Sequence, residues 1–310
     1  MPKDSDFLKN INPQKPDSFI TSGGIEKPPS AFIKDPKMME YLEKTWNHYA
    51  ENDARDIRTQ TTFSGLSHSE EVFDSDPSQR YGGIYEAMTR YTLVDQKESR
   101  LFKENAERMH GVNFFNEIKN KIDEKKSKND NKPVNILITG SDVGFLNDEL
   151  RYKFGKDVTV CGTTLEVSRA QRRKRYFLKL IKNGKTQLSP ESVDYLGKAL
   201  KEKIDPCDRK WRSILEMEDD KPEFDKIIDT CGELLYSFDY EKPEIFELTF
   251  KACISKLNPG GKLYVSEMYG FRYIEEYCKE KNLIIEKNNY DDRHQNLKTN
   301  YIITKPENSG

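Results

Sequence analysis

The sequence predicts an α/β fold in which helices precede a mostly parallel β-sheet. Two observations support this. After Pro133, short apolar runs alternate with stretches whose apolar residues recur at helical spacing, the pattern of strand–helix–strand units. Before Pro133, apolar residues follow helical spacing alone. We therefore expect three regions: a flexible leader over residues 1–35, a helical cap over residues 36–130 and an α/β core over residues 131–310.

The composition excludes several classes of protein. Of 310 residues, 35% are hydrophobic and 34% charged, so much of the chain must be solvated. Sixteen Phe, 16 Tyr and 2 Trp still supply a sizeable core, which excludes wholesale disorder. A net charge of −2 gives no global attraction to nucleic acid or anionic lipid. No apolar run approaches the ~18 residues of a membrane span, and the N-terminus lacks an apolar signal core. We expect a cytoplasmic protein without a membrane partner.

Metal binding is not expected. The five cysteines lie more than twenty residues apart and the four histidines are scattered, whereas a zinc site needs ligands paired at short spacing. The cysteines are expected to be reduced and structural.

The regions before the core differ in their local patterns. Residues 1–35 are rich in Pro, Lys and Asp and predict the leader. Apolar residues at steps of three and four predict a helix over residues 36–51, and further helical patterns run from Gly83 to about Lys126. The polar run over residues 123–133 ends in Pro133 and is the best candidate for a domain boundary.

The core pattern predicts strands over 134–139, 158–162, 226–229 and 261–268, a further strand near 212–217, and a closing antiparallel pair, NLIIEKNNY and TNYIIT. Helices are predicted after the GSDVG segment and over 166–181, 243–257 and 271–280, with a polar helical insertion over about 183–210.

The turn after the first core strand, ILITGSDVG, is the most informative segment. Glycine allows a sharp turn and close approach of a ligand, and the following helix N-terminus offers free N–H groups. An open parallel sheet binds nucleoside-like ligands at such a turn. The two glycines alone are also compatible with an ordinary strand-to-helix turn.

With its context, this segment resembles the class I S-adenosylmethionine-dependent methyltransferases over about residues 112–305. The GSDVG loop stands where that family has GxGxG. VTVCGTTLEVSRAQ resembles the second strand, loop and helix, and FDKIIDTCGELLYSF the fourth motif. LNPGGKLYVSEM resembles the fifth strand. The resemblance implies a Rossmann-like, seven-stranded, mostly parallel sheet with a reversed last strand, S-adenosylmethionine as cofactor, and methyltransferase activity.

The resemblance also implies which residues line the cofactor: Thr139, Gly140, Ser141, Asp142, Gly144, Thr164, Glu218, Asp219, Asp229 and Cys231. Three positions depart from the family pattern. Ile138 replaces an acidic residue, Asp142 a glycine, and Thr164 the carboxylate that accepts both ribose hydroxyls. These departures keep open a catalytically inactive binding or partner-stabilising protein of the same fold.

Several candidate residues keep a structural alternative. Glu218 or Asp219 would contact the adenine amino group, or belong to a solvated acidic loop. Glu233 would orient or deprotonate the nucleophile, or simply begin a helix beside its macrodipole. Asp142 would attract the cofactor ammonium, or cap the following helix. A predicted lid would place Tyr81, Tyr85, Arg90 and Tyr91 near cofactor or substrate, with ordinary helix packing as the alternative.

The function implied is methyl transfer from S-adenosylmethionine to an oxygen or nitrogen nucleophile, because the sulfonium is already activated and alignment is the main requirement. A cap that encloses the site favours a small-molecule substrate. The basic run Arg169–Arg175 keeps protein or RNA substrates open, with a solvated outer helix as its simpler interpretation.

Overall fold

The computed structural model describes residues 30–48, 113–141, 145–165, 211–230, 233–238, 242–266, 271–291 and 297–307. All structural statements below concern these residues.

A six-stranded sheet forms the centre of the described chain. Its strands are β1 (Val134–Thr139), β2 (Val158–Gly162), β3 (Phe224–Thr230), β4 (Leu257–Ser266), β5 (Ile284–Asp291) and β6 (Leu297–Thr304). The strand order is β2-β1-β3-β4-β6-β5. The pairs β2–β1, β1–β3 and β3–β4 are parallel, whereas β6 is antiparallel to both β4 and β5. The prediction of a mostly parallel sheet with a reversed last strand is confirmed, with six strands rather than seven among the described residues.

Six helices accompany the sheet in the described part of the chain. They are α1 (residues 36–48), α2 (Phe114–Ser127), α3 (Phe145–Phe154), α4 (Glu233–Phe238), α5 (Glu244–Lys256) and α6 (Phe271–Glu280). The predicted helices 36–51 and 271–280 agree with α1 and α6 over the described residues, and the predicted helix 243–257 agrees with α5 to within one residue at each end.

The strand predicted near residues 212–217 is wrong. This segment bends and forms a 3-10 helix over Ile214–Glu216, and an isolated β-bridge joins Thr163 to Trp211 just before it. The cause is local, because the Ser213 hydroxyl accepts a hydrogen bond of 3.1 Å from Leu215 N–H and turns the chain.

Helix α2 covers one face of the sheet. Its Phe114, Phe115, Ile118 and Ile122 are buried at helical spacing. They pack with apolar residues of the strands, including Tyr264, whose ring meets Phe114 edge to face at 5.3 Å. The predicted boundary run over 123–133 begins inside the last turns of α2. That run therefore does not separate α2 from the core.

The opposite face is covered by α1, α5 and the residues that precede α1. Ile33, Leu42 and Trp46 are buried in the same cluster as Phe250 of α5. Ala31 N–H donates to the Met217 carbonyl at 3.0 Å. The predicted leader therefore ends too late, because residues 30–35 already pack on the core through Ile33. Among the described helices, none has the length and apolar character that crossing a membrane requires.

Candidate functional site

The candidate site lies where the carboxyl ends of β1, β2 and β3 meet. β1 pairs with β2 on one side and with β3 on the other. The connection from β1 to β2 and the connection from β3 to β4 therefore run in opposite directions. Such a switch point creates a crevice outside the carboxyl ends of the strands, and open α/β sheets bind their ligands there. The predicted glycine loop begins directly after β1, at this crevice.

The first two residues of the loop are held against the end of β2. Gly140 has φ +61°, a conformation that favours glycine. Its N–H donates to Thr163 Oγ1 at 2.9 Å, and Ser141 N–H donates to the Thr163 carbonyl at 2.8 Å. Thr163 N–H donates in turn to the Ile138 carbonyl at 3.1 Å. Thr163 thus fixes both the end of β1 and the start of the loop.

Close packing beneath the loop depends on Gly162. A Cβ at this position would lie 2.9 Å from Ser141 Cβ and 3.0 Å from Asn147 Nδ2. Real Cβ atoms essentially never show the first of these distances, so Ser141 packs this closely on the end of β2 because residue 162 is glycine. The sequence pattern does not single out Thr163 or Gly162, although both lie in the VTVCGTT segment that resembles the family's second strand and loop.

Thr139 and Asp229 meet at the floor of the crevice. Thr139 Oγ1 donates to Asp229 Oδ2 at 2.5 Å, and Leu234 N–H donates to the same oxygen at 3.0 Å. Asp229 is fully buried and Thr139 nearly so. Both predicted residues therefore lie at the site, where their polar atoms join β1, β3 and the start of α4.

Glu233, the first residue of α4, accepts hydrogen bonds on both carboxylate oxygens. Ser213 Oγ donates to Oε2 at 2.6 Å, and Ile214 N–H lies 2.9 Å from Oε2 and 3.1 Å from Oε1. The Thr163 hydroxyl donates to Oε1. Three donors therefore occupy most of the acceptor capacity of the carboxylate, which is about four lone-pair sites, and Ile214 N–H is shared between both oxygens.

The ionisation of Glu233 is perturbed. Desolvation disfavours its charged form and raises the pKa of Glu233 to about 7, against the opposing effect of the donors from Ser213, Thr163 and Ile214. Asp229 adds a smaller electrostatic contribution in the same direction. The carboxyl group therefore changes charge near neutral pH, a property that its sequence position did not indicate.

The segment that supplies Ser213 and Ile214 is anchored by α1. Arg212 Nε donates to Glu216 Oε1 at 2.8 Å, and its guanidinium carbon lies 4.9 Å from the centre of the Trp46 ring. Arg212 and Trp46 are both buried. The surroundings of Glu233 thus include the 211–217 segment, most of which the sequence predicts as a strand over 212–217.

Two predicted cofactor contacts lie elsewhere. Lys256, the last residue of α5, donates to Asp219 Oδ1 at 3.0 Å, and the next residue begins β4. Asp219 therefore lies at the amino ends of the parallel strands, across the sheet from the glycine loop. Its neighbour Glu218 is exposed. The adenine contact expected from this pair stays a prediction, and the hydrogen bond between Asp219 and Lys256 does not favour it.

Thr164 lies at the crevice but is buried. Its N–H donates to the Trp211 carbonyl at 3.1 Å, and 6% of its surface is exposed. Ile138 is buried as well. Neither position offers a carboxylate to the ligand.

The remaining predicted site residues lie outside the described residues: Asp142, Gly144, Cys231, Tyr81, Tyr85, Arg90 and Tyr91. The insertion over about 183–210 and the basic run Arg169–Arg175 lie outside them as well. Within the described ranges, no group of three or more His, Cys, Asp or Glu side chains is arranged to hold a metal ion.

No protein-family model matches this chain. No curated protein sequence gives a significant match.

Among solved structures, the chain is similar to magnesium protoporphyrin IX methyltransferase from Synechocystis PCC 6803, solved with bound S-adenosylmethionine, at 12% identity and a TM-score of 0.36, covering 77% of this chain and 96% of that one. It is similar to the N-methyltransferase NodS from Bradyrhizobium japonicum WM9, solved with S-adenosylhomocysteine, at 13% identity and a TM-score of 0.36, covering 72% and 99%.

A third similar structure is a putative sarcosine dimethylglycine methyltransferase from Galdieria sulphuraria, at 11% identity and a TM-score of 0.36, covering 64% of this chain and 87% of that one. At these values, the fold assignment rests on the strand order and pairing described above.

Proposed function

We propose that this protein is an S-adenosylmethionine-dependent methyltransferase that acts on an oxygen or nitrogen nucleophile of a small molecule. The observation that carries the proposal is the loop after β1, which starts at the switch point of the sheet with Gly140 at φ +61° and leads into α3. A turn without a Cβ lets a ligand approach the backbone closely at this position.

The reversed strand β6 supports methyl transfer in preference to other nucleoside chemistry. Its place between β4 and β5 agrees with the sheet that the sequence resemblance implies. When bound, S-adenosylmethionine supplies a methyl group already activated by the sulfonium. The protein then has to bind and align the two reactants, and no nucleophilic triad is needed.

The described residues fit this task unequally. Gly140 and Ser141 offer a backbone surface with no bulky side chain, while Thr139 and Asp229 hold the strand ends rigidly below it. We extend the proposed contact set to Asp142, Gly144, Thr164 and Cys231 on the strength of the resemblance. Glu233 is not assigned as the base, because its oxygens already accept hydrogen bonds from Thr163, Ser213 and Ile214.

Ligand-induced thermal stabilisation tests the cofactor assignment. S-adenosylmethionine and S-adenosylhomocysteine should raise the melting temperature, because a ligand that binds only the native state stabilises it by mass action. NAD⁺ and ATP serve as matched adenine-containing controls and should have no effect at equal concentration. Stabilisation by NAD⁺ alone would point to a dinucleotide-binding protein instead.

The acceptor class requires a separate experiment. The protein is incubated with methyl-labelled S-adenosylmethionine and a cell extract divided into metabolite, protein and RNA fractions. Label in the metabolite fraction supports a small-molecule acceptor, which the predicted cap favours. Label in the protein or RNA fraction would support the alternative based on the basic run Arg169–Arg175.

A second candidate is a catalytically inactive binding protein of the same fold. The observation that favours it is the burial of Ile138 and Thr164, two positions where the resemblance expects acidic ligand contacts. A protein of this kind would be stabilised by neither S-adenosylmethionine nor S-adenosylhomocysteine in the same thermal experiment.

A further inference from the structure

A continuous chain of hydrogen bonds connects the proposed cofactor loop to Glu233. Gly140 N–H donates to Thr163 Oγ1 at 2.9 Å, and the Thr163 hydroxyl donates its own proton to Glu233 Oε1. The same threonine uses its carbonyl to accept Ser141 N–H at 2.8 Å. Three elements distant in sequence therefore meet at one side chain: the end of β1, the end of β2 and the start of α4.

The direction of these bonds depends on the Glu233 carboxylate. A threonine hydroxyl has one proton, and here that proton points at Glu233 Oε1. This leaves the lone pairs of Thr163 Oγ1 for Gly140 N–H. On its other side, Glu233 accepts from Ser213 Oγ and Ile214 N–H, which fix the carboxylate plane.

We propose that Glu233 is a positioning residue that acts through Thr163 to hold the Gly140–Ser141 loop in its ligand-binding conformation, so that the charge of its carboxyl group controls cofactor affinity. The affinity part of this inference rests on the proposed function, whereas the positioning of the loop can be tested without any ligand.

Protonation of Glu233 conflicts with this arrangement. A carboxyl proton adds a donor at a group already surrounded by donors from Thr163, Ser213 and Ile214, so one hydrogen bond must break or reverse. If the proton points at Thr163, it competes with Gly140 N–H for the lone pairs of Oγ1. The loop should therefore be held best when Glu233 is ionised.

The surroundings of Glu233 allow this change of charge near neutral pH. Burial raises the pKa of Glu233 to about 7, and Asp229 of β3 acts in the same direction. On α5, Cys253 interacts electrostatically with Glu233 and is held neutral by burial, which raises its pKa well above the usual value. On the 211–217 segment, the charges of Arg212 and Glu216 pair with each other at 2.5 Å.

The ligand-free test follows the Gly140 amide by ¹⁵N–¹H NMR from pH 5.5 to 8.5 in the full chain. Wild type should show a shift of the Gly140 signal with a midpoint near 7, because the acceptor of this N–H changes when Glu233 ionises. Glu233→Gln and Thr163→Val should both abolish that titration. Glu233→Gln removes the carboxylate and Thr163→Val removes the hydroxyl that contacts it. If Glu233→Gln fails to fold, Thr163→Val still tests whether the two groups are connected.

Ser213→Ala is the matched control. It removes a donor to Glu233 on the side away from the loop and keeps Thr163 in place. Because the Ser213 hydrogen bond lowers the pKa of Glu233, its loss should move the Gly140 midpoint to higher pH without abolishing the titration. A Gly140 signal that does not titrate in wild type, or that titrates equally in Glu233→Gln, would overturn the positioning role.

The ligand test measures the Kd of S-adenosylhomocysteine over the same pH range. Wild type should bind about tenfold more tightly above pH 8 than below pH 6, the factor expected when one hydrogen bond of the loop is restored. Thr163→Val should bind weakly at every pH. A Kd that does not vary with pH in wild type would overturn the control of affinity. If wild type binds no ligand at any pH, the proposed function fails, and the Gly140 titration still decides the positioning role.

Discussion

Thr139 and Asp229 are joined by a hydrogen bond of 2.5 Å between Thr139 Oγ1 and Asp229 Oδ2, at the point where β1 and β3 end side by side. The same oxygen accepts Leu234 N–H at 3.0 Å. One buried carboxylate therefore fixes the relative position of two strand ends and the start of α4. These are the elements that form the floor of the proposed site.

Asp229→Asn should weaken both the fold and ligand binding. The amide weakens the charge-assisted bonds to Thr139 and Leu234 and introduces donors into a buried site, at a cost of about 1–3 kcal/mol in the free energy of unfolding. Displacement of the strand ends should raise the Kd of S-adenosylhomocysteine by about tenfold. Chemical denaturation and calorimetric titration measure the two effects.

Asp225→Asn is the control for that substitution. Asp225 is also buried on β3, but it lies at the amino end and accepts hydrogen bonds from Lys125 at 2.7 Å and Asn135 N–H at 2.9 Å. It should lose a similar amount of stability and keep ligand affinity. Equal loss of affinity in both variants would show that the effect is global.

The stability of the protein should fall as pH rises from 5 to 7. The pKa of Glu233 is raised to about 7 by burial, so the native state binds more protons than the unfolded state above the usual value of 4.5. Ionisation of Glu233 therefore costs stability over this interval, by about 1–3 kcal/mol for a partly exposed residue. Glu233→Gln should remove this part of the pH dependence.

Denaturant titrations of wild type and Glu233→Gln at half-unit pH intervals provide the measurement. The difference between the two proteins isolates Glu233 from other titrating groups. A difference that stays constant from pH 5 to 7.5 would show that this carboxyl group titrates outside the interval. Ionisation of Glu233 can lower the stability of the whole protein and still hold the loop in place. Desolvation of the charged carboxylate lowers the stability, whereas the loop depends on the one hydrogen bond between Thr163 and Glu233.

Gly162→Ala should displace the loop. The added Cβ would lie 2.9 Å from Ser141 Cβ, and relieving such a contact costs about 1–3 kcal/mol. Ligand affinity should fall with stability, and Ser141→Gly in the same chain should restore part of both. Gly261→Ala is the matched control, since its Cβ would lie 2.8 Å from the Asn258 carbonyl, at the amino edge of the sheet. Gly261→Ala should lose stability and keep its affinity for the ligand. If Ser141→Gly restores neither stability nor affinity in Gly162→Ala, the proposed contact between residues 141 and 162 is refuted.

Lys226 makes a second pH-dependent contribution, at alkaline pH. Burial lowers its pKa to about 8, so above pH 8 the unfolded state binds more protons than the native state. Stability should therefore rise between pH 8 and 10, by up to about 3 kcal/mol. Lys226→Met should abolish the rise and Lys44→Met, at an exposed position of α1, should keep it. Denaturation at pH 8, 9 and 10 decides between these outcomes.

The strands were predictable where a short apolar run is bounded by turn residues. β1 and β2 agree with the predicted ranges at every residue, because VNILIT and VTVCG are bounded by clear turn residues. The segment Arg212–Met217 has the pattern of such a strand, but the chain turns there, where the Ser213 hydroxyl accepts a hydrogen bond from Leu215 N–H. The pattern of apolar residues does not show that a side-chain hydrogen bond competes here with the backbone hydrogen bonds of a β-sheet.

The roles of the site residues were less predictable than their positions. Glu233 stands out in the sequence, but its donors come from residues 163, 213 and 214, which only the fold brings together. Asp219 lies in an acidic run near the expected place, yet its partner Lys256 belongs to the other edge of the sheet. Spacing along the chain locates the crevice and does not determine which polar atoms face it.

Calorimetric titration with S-adenosylhomocysteine tests most directly whether the loop at Gly140 binds the cofactor, by comparing alanine variants of two glycines. Gly140 and Gly155 have φ of +61° and +55°, so alanine at either should cost about 1–2 kcal/mol of stability. A Cβ at Gly155 meets nothing within 4 Å, and this residue follows the far end of α3. We expect that wild type and Gly155→Ala bind the ligand and that Gly140→Ala binds at least about tenfold more weakly. Absence of binding by wild type, or equal binding by Gly140→Ala, would contradict this expectation.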